Sequence, residues 1–117
     1  MKHSSSFYYD LDFAEKAEDW AKEIFTGGYK VEVKCDRLAW KTGNIFVEVY
    51  SRGQKSGIAT TQAHYWFFII YGTSVSILIS TERLKELAKR FYEPNNLVKG
   101  GDNNTSEGIL IPLNQII

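Results

Sequence analysis

One cysteine in 117 residues leaves Cys35 without a partner, so no internal disulfide can form and a disulfide-stapled secreted scaffold is excluded. The formal net charge is +0, so no global excess of either sign points to nucleic acid or to a membrane surface. The longest apolar stretch, Tyr65 to Tyr71, is far too short to span a bilayer. Met1-Lys2-His3 leads into Ser4-Ser5-Ser6 rather than an apolar run, which does not read as a signal peptide, and a cytoplasmic protein is expected. His3 and His64 have no companion at metal-ligand spacing, which argues against a structural zinc site. Cys35 has no triad-like base, so it is not a convincing nucleophile. Neither Gly27-Gly28 nor Gly100-Gly101 follows a strand and opens a helix, as a phosphate-binding loop would. The stretch from Gly100 to Asn104 lacks the terminal glutamate of a calcium loop. There are no internal repeats.

What remains is a foldable chain. Hydrophobic residues are 44% and charged residues 24%, and the length suits a single domain over residues 1–117. Residues 12–25 read as an amphipathic helix carrying Phe13, Ala14, Ala17, Ala21, Ile24 and Phe25, capped by Asp10 or Asp12 and ended by Gly27-Gly28. Strands are expected at 29–36 and 44–51, a polar loop at 52–57, a turn or short helix at 60–64, and strands at 65–71 and 74–79. Ser80 or Thr81 then caps a helix with Leu84, Leu87, Ala88 and Phe91 near one face, stopped by Pro94. A polar loop at 99–107 and a strand at 108–113 close the chain. This order predicts an α/β fold with a mixed sheet.

Charge is unevenly spread. The first helix is acidic, whereas Lys30, Lys34, Arg37, Lys41, Arg52 and Lys55 surround the first two strands. In the first strand Glu32, Lys34 and Asp36 share one side and Val31, Val33 and Cys35 the other, because strand side chains alternate. Cys35 thus reads as a small core residue. In the second strand Phe46, Glu48 and Tyr50 oppose Ile45, Val47 and Val49. If the two strands are neighbours, Asp36 and Glu48 converge. Two carboxylates with a lysine beside them suit a divalent metal for phosphodiester hydrolysis. The main-chain carbonyl of Val49 would join them as a ligand, and Lys34 would orient water or stabilise developing charge.

A helix with an outward glutamate, a strand ending in Asp36 and a strand carrying Glu48 resemble the PD-(D/E)xK nuclease superfamily, in particular its small phage-type and Holliday-junction-resolvase-like members. Thr42-Gly43-Asn44, Ser56-Gly57-Ile58 and Ala63-His64-Tyr65-Trp66 add to the likeness. The resemblance implies a restriction-endonuclease-like fold: a mixed central sheet of about five strands flanked by helices. It implies a Mg²⁺- or Mn²⁺-dependent DNA endonuclease, phage- or prophage-derived, acting as a homodimer, with DNA as partner and no membrane. Asp36 would match the central aspartate, Glu48 the strand glutamate, and Glu18 the helix glutamate, with Glu15 competing. Two departures stand out. Cys35 occupies the place of the proline, and Tyr50 that of the lysine two residues after the glutamate, leaving Lys34 or Lys55 to substitute. In a second register Glu32-Val33-Lys34 is itself the Glu-x-Lys motif, and Asp10 supplies the aspartate.

Plainer readings compete. Asp36 and Glu48 suit a solvated sheet face, Lys34 and Lys55 ordinary surface positions, and Glu18 a polar helix position. Tyr65-Trp66-Phe67-Phe68 is expected in the core rather than exposed as a platform for bases. Two alternatives to the nuclease follow: a decayed nuclease fold that binds DNA or serves assembly, and a small protein-interaction domain.

Overall fold

The computed structural model describes the backbone from His3 to Ile117, and the side chains from Phe13 onward except that of Asp102. The chain divides into two compact units, Met1–Lys30 and Val31–Ile117. The first unit is helix α1, His3–Phe25. It begins well before residue 12, so Asp10 and Asp12 lie within it rather than ahead of it. Their side chains fall outside the described residues.

The second unit is α/β, as its pattern predicts, but its strands form two sheets instead of one. Strands β1 (Val31–Asp36), β4 (Tyr65–Ile70) and β5 (Ser76–Ser80) make a mixed sheet in the order β1-β4-β5. Strands β2 (Asn44–Ser51), β3 (Gln54–Lys55), β6 (Val98–Gly100) and β7 (Ser106–Pro112) make an antiparallel sheet in the order β3-β2-β7-β6. The short helix α2 (Ala39–Thr42) lies between β1 and β2 in the chain. Helices α3 (Thr81–Phe91) and α4 (Leu113–Ile116) follow β5 and β7. No helix among the described residues is long and apolar enough to cross a membrane.

The first and second strands are therefore not partners. Strand β1 pairs in parallel with β4, and β2 pairs antiparallel with β7. Alternating Val and Glu in β1 make a strand but do not specify which later strand completes its ladder; the apolar run of β4 does so. The register sets Glu32 beside Trp66, Lys34 beside Phe68 and Asp36 beside Ile70. The charged side of β1 thus continues the buried face of its sheet, whereas Val33 and Cys35 are exposed. Cys35 is not a core residue, because alternation defines two faces without saying which one packs inward.

One core joins both sheets and α3. Ile45, Val47 and Val49 of β2, Ile109 and Ile111 of β7, Trp66 and Phe68 of β4, and Leu84 and Leu87 of α3 belong to the same buried cluster. Full burial of such a side chain is worth about 1.5–3 kcal/mol. Trp66 and Phe68 stack with ring centroids 5.9 Å apart, while Tyr65 and Phe67 are half-buried. Ser80 is the cap of α3, its hydroxyl accepting the Arg83 N–H at 3.1 Å, while the Thr81 hydroxyl donates to the Ala63 carbonyl at 2.7 Å.

Candidate functional site

Asp36 ends β1, is buried, and carries its carboxylate into backbone rather than solvent. Oδ1 accepts the N–H groups of Leu38 at 3.0 Å and Ala39 at 2.9 Å, at the start of α2. Oδ2 accepts the Phe46 N–H of β2 at 2.9 Å. Strand β3 covers β2 only at Tyr50 and Ser51, so Asp36 supplies an acceptor on the stretch of β2 that β3 leaves open. The same aspartate therefore caps a helix and stitches the end of one sheet to an edge of the other. Gly43 makes the arrangement possible by closing α2 at φ 76° and donating to the Ala39 carbonyl. A carboxylate offers about four lone-pair positions. Three are filled, and one remains on Oδ2.

Glu48 is half-buried on β2, opposite Gly108 of β7. Its Oε1 accepts the Ser106 hydroxyl at 2.6 Å, a short charge-assisted bond. The Ser56-Gly57-Ile58 sequence packs around this position. Gly57 has φ +53°, and a Cβ there would collide with the Glu48 carbonyl and come 2.9 Å from Glu48 Cβ. Ser56 donates its N–H to the Val49 carbonyl at 2.9 Å, and Ile58 is buried in the core. The Ser56 hydroxyl itself is buried without a hydrogen-bond partner.

The remaining expected residues divide between the units. Lys34 shares the Asp36 face of β1, and its Nζ lies 3.8 Å from Glu32 Oε1, both side chains being substantially exposed. A pair so exposed is worth little, roughly 0–1 kcal/mol. Lys55 is exposed on β3, opposite Tyr50. Tyr50, at the place of the expected lysine, hydrogen-bonds Tyr92 and raises its pKa above the ordinary value. Glu18 and Glu15 are exposed on α1, in the first unit.

Among the described residues no group of three or more Asp, Glu, His or Cys forms a metal cluster. Asp36 and Glu48 are held by separate partners, the first by the N–H groups of Leu38, Ala39 and Phe46 and the second by the Ser106 hydroxyl. The Val49 carbonyl accepts the Ser56 N–H, which occupies one of its two lone pairs. Sequence reasoning missed Ser106, which carries no motif signal. It also passed over the capping role of Asp36, although an aspartate placed before a short segment that ends in Gly43 is a helix-start and helix-stop signature. Comparison with family models, curated proteins and solved structures finds no match.

Proposed function

We propose that the chain is a Mg²⁺- or Mn²⁺-dependent DNA endonuclease of the PD-(D/E)xK type, acting in the cytoplasm, with Asp36 and Glu48 as its metal-holding carboxylates. The observation that carries this reading is the 2.9 Å bond from Phe46 N–H to Asp36 Oδ2, which ties Asp36 to β2 two residues before Glu48. Glu48 follows Phe46 two residues along β2, on the same side of the strand. When bound, the cation would polarise the scissile phosphate and make a water nucleophilic near neutral pH. Asp36 contributes a carboxylate whose orientation is fixed by three N–H donors, so holding it costs no further ordering. Glu48 contributes an oxygen steadied by Ser106. Lys34, on the Asp36 face, contributes positive charge toward the substrate phosphate.

The test is cleavage of linear, flapped and four-way-junction DNA with Mg²⁺ or Mn²⁺, comparing wild type with Glu48→Gln. Metal-dependent cutting that Glu48→Gln abolishes supports the reading, and cutting by neither protein rejects it. One observation favours a second reading. Three N–H bonds suffice to explain Asp36 as a purely structural cap, in which case the domain binds DNA or serves assembly without hydrolysis. That reading predicts DNA binding with no metal-dependent cutting and no metal-induced rise in melting temperature.

A further inference from the structure

Resting on the DNA reading above, the surface beside Asp36 carries a feature that the metal site does not use. Leu38 and Trp40 of the α2 segment are 62% and 59% exposed, and Tyr71 and Val75 of the β4–β5 turn are 58% and 57% exposed. Two contacts join these segments. The Tyr71 N–H donates to the Asp36 carbonyl at 3.0 Å, and a Cβ at Gly72 would lie 3.7 Å from the Trp40 ring. Single exposed apolar residues are ordinary, but four on two adjoining segments make a patch that calls for a role. The two segments carry charge of one sign. Arg37 and Lys41 are exposed beside it, and neither Arg37–Asn44 nor Tyr71–Val75 contains an acidic residue. Flat aromatic faces bordered by cations fit nucleobases and the phosphates that connect them.

We propose that Trp40 and Tyr71 form a stacking platform for unpaired bases, with Arg37 and Lys41 meeting the backbone, so that the substrate class is single-stranded or flapped DNA rather than uninterrupted duplex. Stacking needs a base face, which paired and stacked bases in a duplex do not offer. The run Tyr65 to Phe68, expected in the core, offers no such platform, because Trp66 and Phe68 are buried. The exposed aromatic surface lies at the carboxyl end of the same sheet, on the side where Asp36 caps α2.

The test is fluorescence anisotropy with a labelled oligothymidylate of about twelve nucleotides and a duplex of equal length. EDTA is included, so that binding is read without cleavage. Wild type is expected to bind the single strand more tightly than the duplex. Trp40→Ala and Tyr71→Ala should each weaken single-strand binding by about fivefold or more, Trp40→Phe retaining most of it. Arg37→Gln with Lys41→Gln should flatten the salt dependence. Circular dichroism of each variant verifies folding, and Tyr71→Ala carries the test if Trp40→Ala does not fold. Equal or tighter duplex binding, no oligothymidylate binding, or wild-type affinity in the folded aromatic variants would overturn the platform. The two proposals fail separately. Metal-dependent cutting without oligothymidylate binding leaves the nuclease and removes the platform. Oligothymidylate binding that depends on Trp40, without any cutting, leaves the platform and removes the nuclease.

Discussion

Asp36 and Glu48 carry the same chemical group in opposite settings. Asp36 is buried, and three backbone N–H groups on two different segments depend on it. Glu48 is half-buried, and its Oε1 accepts from the hydroxyl of Ser106, a buried residue. The first carboxylate holds the architecture together; the second is held by it. Substitutions at the two positions therefore report on different things, and loss of activity at Asp36 alone says nothing about metal binding.

The contrast breaks most sharply at Asp36. Asp36→Ala strands the N–H groups of Leu38, Ala39 and Phe46, and is expected to cost about 3–5 kcal/mol in urea unfolding. Asp36→Asn keeps an acceptor at one oxygen but turns an amide toward a donor, and should cost roughly half as much. Gly57→Ala comes next. It puts a Cβ against the Glu48 carbonyl in left-handed backbone, and a loss of about 2–4 kcal/mol is expected by the same measurement. Glu48→Gln should move stability by no more than about 1 kcal/mol, because the amide oxygen still accepts from Ser106. The smallest effect is at Tyr50. Tyr50→Phe should let the Tyr92 pKa fall back toward 10.0, followed by NMR titration of the tyrosine rings. The raised pKa marks a bond to the protonated phenol. Its contribution is present below the ordinary pKa and is lost as pH rises through the raised one.

Local pattern carried part of this far. The helix at Thr81–Phe91 was legible because Ser80 supplies a cap and Leu84, Leu87 and Ala88 fall at helical spacing. Strand β2 was legible because Ile45, Val47 and Val49 alternate with polar or aromatic neighbours. Partner choice was not. β1 completes its ladder with a strand that begins 29 residues after its own Asp36 (residue 36 to residue 65), and nothing in Val31–Asp36 encodes that partner. β6, only Val98–Gly100, is too short to show a period and was hidden in an expected loop. At the site, residue types were legible and geometry was not. Asp36 and Glu48 stand out as carboxylates on strands, but the helix cap, the Ser106 bond and the seating of Gly57 against Glu48 come only from tertiary contacts.

The most direct test of the account measures Mg²⁺-dependent cutting of flapped DNA by wild type and Glu48→Gln, with the melting temperature of both recorded in the same buffer. Cutting by wild type is expected, with a fall of at least ~10²-fold in Glu48→Gln while both proteins remain folded at the assay temperature. Equal cutting by both proteins, or none by either while both remain folded, would contradict it.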